Sequence, residues 1–327
     1  MIEDGVDPEL RAPLEMMLEA WPGLTAGGLA EMRKGLKALA DSAPAARPGS
    51  VKVEDLLVPG PFRDSELLLR VYRPQTAQTL LPVLYWMHGG GMVIGSVNLD
   101  DALLAGAVDR LGIAAVSVEY RLAPEYPDPT PIEDCYAGLV WIASQGASMH
   151  LDSDRIAVGG ASAGGGLAAG LALLARDRSG PPIAFQLLLE PMLDDRSATR
   201  SSTQYDRTTL WDRNDNQWGW SALLGERVGT DVVSPYAAPS RASVLKGLPA
   251  AFIDVGEVET FRDECIDYAA RLSTAGVPTE FHMYPGAFHG FDLIAPDSWT
   301  GRRAWGLRWS ALTRALEQTA EHPRGFD

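Results

Sequence analysis

The sequence predicts an α/β fold in which a mostly parallel, eight-stranded sheet carries helices on both faces. Eight short runs have the composition of strands, and most of those beyond residue 80 are continuous and apolar, as expected for strands covered on both sides. Helical stretches separate these runs, and alternation of strand and helix is typical of a parallel sheet. The 327 residues, 46% of them hydrophobic, suffice for one large core, so we expect a single domain over residues 1–327.

The predicted elements follow from the spacing of apolar residues. An alternating run such as 66–73 indicates a strand with one polar face, whereas a continuous run such as 82–87 indicates a strand buried on both faces. The eight predicted strands span 51–58, 66–73, 82–87, 113–119, 155–159, 183–189, 250–255 and 279–284. The helices predicted among them span 99–111, 131–145, 163–177, 262–275 and 299–319.

Two segments lie outside this alternation and predict a helical cap. Helical patterns at 8–20 and 25–40 precede the first strand, and the segment 194–225 is too polar for a strand and too long for a simple loop. We therefore expect the cap to come from residues 1–45 and 196–228. Four tryptophans in these segments could line a pocket, but packing of the cap on the core is the favoured interpretation. They are Trp21, Trp211, Trp218 and Trp220.

Charge and composition exclude several kinds of partner. The formal net charge of −15 repels nucleic acid and anionic membrane surfaces. The apolar runs are shorter than the roughly 20 residues needed to cross a bilayer, and the acidic start lacks the features of a secretory signal, so we expect a cytoplasmic protein. Cys135 and Cys265 lack the spacing of metal or redox ligands, so neither a metal nor another cofactor is expected.

A glycine-rich turn between a predicted strand and a predicted helix contains the candidate nucleophile, Ser162. It has the pattern Gly-x-Ser-x-Gly at 160–164. Such a turn holds its central residue in a strained conformation at a helix N-terminus, where developing negative charge is stabilised. The same glycines could merely permit close packing. A dinucleotide pattern formed by Gly164, Gly166 and Ala169 is disfavoured because it lies inside the helix instead of before it.

A second glycine-rich turn follows the third predicted strand. Gly89, Gly90 and Gly91 come directly after His88. Acyl-transfer chemistry requires backbone amides that approach the oxyanion closely, which residues without side chains allow. We therefore predict that these three glycines form an oxyanion hole together with the amide of Ala163. A flexible turn would explain the glycines but not their position after this strand.

Of the five histidines, His289 is the predicted proton carrier. Enzymes built on such a serine turn have the chain order serine, acid, histidine, and His289 lies on a loop after the last strand. An imidazole with an ordinary pKa near 6.5 takes up and returns a proton at neutral pH. His88 precedes the serine and is expected to brace the glycine turn. His282 is interpreted as an ordinary strand residue, and His150 and His322 as surface residues.

The acid partner is expected between the seventh predicted strand and His289. The candidates are Asp254, Glu257, Glu259, Asp263 and Glu264. Asp254 lies inside the strand, and Asp263 and Glu264 open the next helix, where acidic residues are favoured by the helix dipole. Glu259, on the loop between them, is chosen from order and position, and the others remain alternatives.

Five motifs in this order resemble the hormone-sensitive-lipase-like carboxylesterases of bacteria. The matching segments are His88-Gly89-Gly90-Gly91, Tyr120-Arg121-Leu122-Ala123-Pro124-Glu125, Gly160-Ala161-Ser162-Ala163-Gly164-Gly165, Phe261-Arg262-Asp263-Glu264 and Phe288-His289-Gly290-Phe291. The resemblance implies an α/β-hydrolase core with a helical cap and hydrolysis of short to medium acyl-chain esters without a cofactor. It implies Ser162 as nucleophile and His289 as base, and it makes the segment 120–125 a scaffold element.

The sequence departs from this family at two positions. Many members have Asp-Pro where this chain has Glu259-Thr260, and many have Asp where it has Ala161. A glutamate is one methylene longer than an aspartate but supplies the same negative charge to an imidazolium.

The expected reaction passes through an acyl-enzyme on Ser162 and acts on a small-molecule ester, without nucleic acid or membrane partners. Two other functions remain possible. The related fold also serves as a hormone receptor that lacks the catalytic histidine, and the same triad supports amide hydrolysis or acyl transfer. An uncovered edge strand near the C-terminal end of the sheet would also allow a homodimer.

Overall fold

A computed structural model describes residues 5–25, 27–42, 47–205 and 209–321 as one twisted sheet with helices on both sides. Its strands are β1 (Val51–Pro59), β2 (Glu66–Pro74), β3 (Leu81–Met87), β4 (Ala114–Val118), β5 (Leu151–Ala161), β6 (Phe185–Leu189), β7 (Ala250–Val258) and β8 (Thr279–Phe288). Their order in the sheet is β1-β2-β4-β3-β5-β6-β7-β8. β2 runs antiparallel to β1 and β4, and every other neighbouring pair is parallel. The predicted mostly parallel, eight-stranded sheet is confirmed.

Three strands, β5, β7 and β8, are at least three residues longer than predicted, and β7 continues to Val258. β5 begins at Leu151, before a polar stretch that interrupts the apolar pattern. β8 continues through Pro285 to Phe288, which pairs with Val258 of β7. A proline and a glycine at 285–286 hid this extension from the sequence analysis, because both residues are rare inside strands.

Caps provided by the local sequence mark several helix ends. They are α1 (Pro8–Ala20), α2 (Leu29–Ser42), α3 (Asp101–Leu111), α4 (Thr130–Gln145), α5 (Ala163–Asp177), α6 (Arg200–Gln204), α7 (Arg213–Leu224), α8 (Arg262–Thr274), α9 (Phe291–Ile294) and α10 (Trp299–Glu321). The Asp7 side chain accepts the Glu9 amide at the start of α1. Gly112, in the left-handed region, ends α3. Among the described residues, no helix combines the length and apolarity needed to cross a bilayer.

The apolar core lies on both faces of the sheet because successive side chains of a strand point to opposite sides. In β3, Tyr85 and Met87 contribute to one buried cluster, whereas Leu84 and Trp86 contribute to the other. All four side chains are fully buried. Helices α4 and α5 contact each other and cover one face, and α3 and α10 cover the other.

The segments predicted to form the cap contact each other through one buried carboxylate. Asp215, in α7, accepts the Trp21 indole N–H at 2.8 Å and the Leu24 amide at 2.6 Å. These contacts join the chain after α1 to the mid-chain insertion, which forms α6 and α7. Trp211, between α6 and α7, and Trp220, in α7, are buried in the core. Residues 1–4, 26, 43–45 and 206–208 of the predicted cap lie outside the described residues.

Candidate active site

The site lies at one edge of the sheet, where four neighbouring parallel strands end. β5 ends at residue 161, β6 at 189, β7 at 258 and β8 at 288. The next residue after each strand is Ser162, Glu190, Glu259 and His289, respectively. Because the carboxyl ends of parallel strands meet at the same edge, residues distant in sequence converge there.

Ser162 sits in a strained turn that is held on both sides. Its φ of 57° and ψ of −121° place it in a region that costs a non-glycine residue about 1–3 kcal/mol. Its amide donates to the Leu189 carbonyl at 2.8 Å, and its carbonyl accepts the Met192 amide at 3.0 Å. A Cβ at Gly164 would overlap the Met87 carbonyl oxygen, so only glycine lets α5 approach β3 this closely. The turn therefore presents the Ser162 hydroxyl at the N-terminus of α5.

The structure brings Ser162, His289 and Glu259 into one hydrogen-bonded row. The Nε2 atom of His289 lies 3.0 Å from Ser162 Oγ, and its Nδ1 atom lies 3.3 Å from Glu259 Oε1. The other oxygen of Glu259 accepts the Gly256 amide at 3.1 Å, which holds the carboxylate in place. Ser162 is 8% exposed, His289 7% and Glu259 0%, so the row is almost enclosed.

Glu190 is a second carboxylate at the histidine, and the sequence analysis did not identify it. Its Oε2 atom lies 3.3 Å from His289 Nδ1 and accepts the Gly290 amide at 2.7 Å. Its Oε1 atom is buried and has no hydrogen-bond partner among the described residues. The signal that could have revealed it is its position directly after β6, between the strands that precede Ser162 and Glu259.

Burial and neighbouring charge raise the pKa of Glu190 well above its ordinary value. Removal from water is the main cause, and the negative charges of Glu259 and Asp292 add to it. Arg308 opposes this shift, but its guanidinium already pairs with Asp254 and Asp292. These effects favour the protonated form of Glu190 relative to a carboxyl group exposed to water.

The glycine turn after β3 lies against the serine turn. A Cβ at Gly89 would be 3.6 Å from Ser162 Cβ. His88 stacks on Tyr120 with 4.2 Å between ring centroids, and the Tyr120 hydroxyl donates to the His88 carbonyl at 2.8 Å. His88 Nδ1 lies 2.8 Å from the Gly89 carbonyl oxygen. Burial lowers the pKa of His88 to about 4, so this imidazole is neutral and braces the turn.

Trp211 connects the insertion to both sides of the site. Its indole fills the space where a side chain at Gly91 would lie, and Gly91 has a φ of 60°. The Trp211 carbonyl accepts the Thr260 hydroxyl at 2.9 Å, directly after Glu259. Ala163, the first residue of α5, is buried beside Ser162, and an amide at this helix position has no acceptor within its own helix.

The other acidic candidates are engaged elsewhere. Asp254 pairs with Arg308, and Glu257 accepts the Gly286 amide at 2.9 Å. Asp263 accepts the Ser201 amide at 2.8 Å, and Glu264 accepts the Leu193 amide at 2.7 Å.

The remaining candidates also lie away from the serine. His282 lies in β8 beside Glu280, and His150 precedes β5. His322 lies outside the described residues. Cys135 and Cys265 are buried free thiols in α4 and α8. In the scaffold segment at 120–125, Arg121 forms an ion pair with Asp134.

One group among the described residues has the spacing of metal ligands. Single atoms of Glu190, Glu259 and His289 lie within 4.8 Å of one another. A hydrogen bond joins His289 to Glu259, and the Gly290 amide holds Glu190, so we assign no metal to the group.

The sheet, the serine turn and the serine–histidine–glutamate row define the class of protein as an α/β hydrolase. A comparison with protein families agrees with this geometry: a profile described as an alpha/beta hydrolase fold matches residues 84–293. The chain belongs to this family, and the resemblance inferred from the five motifs is confirmed.

Several proteins similar to this chain are named as esterases. Carboxylesterase NlhH of Mycobacterium tuberculosis is 35% identical over 317 residues, which cover 94% of this chain and 97% of that relative. Esterase LipI of the same organism is 39% identical over 247 residues, 74% of this chain and 75% of LipI. A solved structure named bacterial heroin esterase is 41% identical, with a TM-score of 0.89 over 95% of this chain and 98% of its own.

Proposed function

We propose that the chain is a carboxylic ester hydrolase with Ser162 as nucleophile, His289 as general base and acid, and Glu259 as the acid that orients His289. The hydrogen-bonded row from Ser162 to Glu259 is the observation that carries this proposal. The carboxylesterases and esterases among its relatives support ester hydrolysis as the reaction.

Acylation follows from the position of the row. His289 Nε2 accepts the proton of Ser162 as Oγ attacks the ester carbonyl carbon. Glu259 keeps the Nδ1–H of His289 directed away from the serine and stabilises the imidazolium. The tetrahedral oxyanion is stabilised by amides of Gly89, Gly90 and Gly91 and by the amide of Ala163. When the intermediate collapses, His289 returns the proton to the leaving alcohol.

Deacylation repeats the same steps with water. His289 takes a proton from water as the water oxygen attacks the acyl-enzyme carbonyl. Collapse of the second intermediate releases the carboxylic acid, and the proton returns to Ser162 Oγ. Every step uses side chains and amides of this chain, so the mechanism requires neither a metal nor another cofactor.

We infer a small-molecule ester with a short to medium acyl chain as substrate. The row is almost enclosed, and the indole of Trp211 fills the space next to Gly91. A bulky side chain at this position favours a compact acyl group. The cap over residues 1–45 and 196–228, the cytoplasmic location and a homodimer through the edge strand β8 stay predictions.

Hydrolysis of p-nitrophenyl esters from acetate to decanoate tests this function. Ser162→Ala is expected to lose about 10⁴-fold or more in kcat, because it removes the attacking oxygen. Ser144→Ala is the matched control, since the Ser144 hydroxyl bonds only to carbonyls of its own helix. The dependence of the wild-type rate on acyl-chain length indicates the size of the acyl pocket. Equal turnover by Ser162→Ala and the wild type, or a wild type inactive on every ester, would reject the proposal.

A further inference from the structure

Two buried carboxylates face the same imidazole nitrogen. Glu190 and Glu259 each place one oxygen 3.3 Å from His289 Nδ1. The hydrogen bond goes to Glu259. A single Nδ1–H needs only one acceptor, so the conventional row leaves the presence of Glu190 unexplained.

The local charge balance does not allow both carboxylates to be ionised at low cost. The acidic groups near Glu190 are Glu259 after β7, Asp254 within β7, and Asp292 in α9. The only cation that faces them among the described residues is Arg308 of α10, which already pairs with Asp254 and Asp292.

Other groups near the pair do not supply a positive charge. Cys265 of α8 is a neutral buried thiol. Glu264, also in α8, is a further buried carboxyl group. His289 is neutral when it is ready to act as a base. Oxygen atoms of Glu190 and Glu259 lie within 4.8 Å of each other. Two buried negative charges at this distance repel each other, which favours one proton shared by the two carboxyl groups.

We propose that Glu190 and Glu259 share one proton, which resides on Glu190, and that Glu190 is a positioning residue able to replace Glu259 as the acid that orients His289. This inference rests on the proposed function. When Glu259 is replaced by a neutral residue, the proton of Glu190 passes to solvent and its carboxylate accepts the Nδ1–H. The oxygen that must accept it is already at the required distance.

Glu190 also holds the loop that carries His289. Its Oε2 atom accepts the Gly290 amide at 2.7 Å, and its own amide donates to the Asp254 carbonyl at 2.8 Å. These contacts fix Glu190 between β7 and the histidine loop. The carboxyl group is therefore preorganised toward His289 and needs no rearrangement when it ionises.

Kinetics of Glu259→Gln and Glu190→Gln/Glu259→Gln across pH 5–10 test the proposal. Glu259→Gln is expected to lose about 10–100-fold in kcat, well short of the roughly 10⁴-fold loss typical when the orienting acid of a triad is neutralised. The double variant is expected to show that full loss. Glu190→Gln alone is expected to lose about threefold, because Glu259 remains and an amide oxygen still accepts the Gly290 N–H.

The pH profile separates orientation from a merely structural role. In Glu259→Gln, kcat is expected to rise with pH through an ionisation absent from the double variant, because only ionised Glu190 accepts the Nδ1–H. Removal of Glu259 relieves part of the repulsion, but burial still keeps the pKa of Glu190 above its ordinary value. Comparison of the Glu259→Gln profile with that of the wild type decides the question even if the double variant does not fold.

Glu264 is the matched control. Like Glu190 it is buried, with one oxygen on a backbone amide and the other without a partner, but its carboxyl group bonds to Leu193 instead of the histidine loop. Glu259→Gln/Glu264→Gln is expected to stay within about threefold of Glu259→Gln.

Several outcomes would overturn the proposal. One is a full 10⁴-fold loss in Glu259→Gln with no further loss in the double variant. Another is a loss of kcat in Glu259→Gln/Glu264→Gln equal to that in Glu190→Gln/Glu259→Gln. A third is a pH profile of Glu259→Gln that is the same as that of the wild type. Each of these leaves an active wild type and an inactive Ser162→Ala, so ester hydrolysis would stand. Loss of the difference between those two proteins would instead reject the proposed function.

Discussion

Replacing Gly91 by alanine would place a methyl group where the indole of Trp211 now lies. The new Cβ would be 2.5 Å from Trp211 Cζ2 and closer still to Cη2, which is far inside van der Waals contact. The backbone φ of 60° adds strain of its own, because an L-residue is disfavoured there. Either the indole or the glycine turn must therefore move.

The structure sets the expected size of both effects. The left-handed backbone costs alanine about 1 kcal/mol, and overpacking of a buried ring costs about 1–3 kcal/mol, so Gly91→Ala should lower the free energy of unfolding by about 2–4 kcal/mol. Movement of the turn also displaces an amide proposed to bind the oxyanion. Loss of one such donor lowers kcat by about 10²–10³-fold.

Urea unfolding and p-nitrophenyl butyrate hydrolysis measure the two effects, with Gly112→Ala as control. Gly112 has a φ of 66°, but a Cβ at this position would have no heavy atom within 4 Å, so the variant reports the backbone cost alone, with kcat unchanged. Trp211→Leu combined with Gly91→Ala should recover part of the lost stability, because the overlap is relieved. If Gly91→Ala behaves like Gly112→Ala in both assays, the packing argument and the role of this turn are wrong.

Two further predictions concern stability. The unfolding free energy should fall by about 2 kcal/mol more between pH 7 and pH 5 in the wild type than in His88→Gln, because unfolded His88 takes up a proton below about pH 6.5 whereas the folded pKa is about 4. Urea unfolding at both pH values checks this, and equal pH dependence in the two proteins would contradict it. Asp215→Ala should destabilise the predicted cap by about 2–3 kcal/mol, because Trp21 and Leu24 lose a charged acceptor. The amides of α1 are expected to exchange hydrogen faster in Asp215→Ala than in the exposed-site control Asp231→Ala. Equal exchange in the two variants would count against the contact.

The strands could be predicted from sequence because burial on both faces leaves a plain signature. β4 and β6 are buried at every residue, and their apolar runs have no charged interruption. Ser162 could be named because its turn has a local pattern, and His289 because it follows the last strand in the chain order expected of such a turn. The structure places them 3.0 Å apart, although 127 positions separate them in the chain.

Glu190 could not be found in the same way, because its role depends on the order of strands in the sheet. Nothing in the segment around Glu190 and Pro191 resembles a catalytic motif. Its carboxylate reaches His289 only because β6 lies between β5 and β7. Strand order follows from long-range pairing and packing, which a local pattern does not encode.

The placement of one functional residue after each of four strands has a consequence for the protein during its synthesis. The ribosome completes β5 and Ser162 long before it reaches β8, since His289 follows the serine by 127 residues. Until β8 is made and docked beside β7, the proposed nucleophile lacks its proposed base, so the proposed mechanism does not allow the nascent chain to hydrolyse an ester. Under the proposed mechanism, turnover therefore begins only after residue 289 has been made, and a product truncated before it would be inactive even with its serine turn intact.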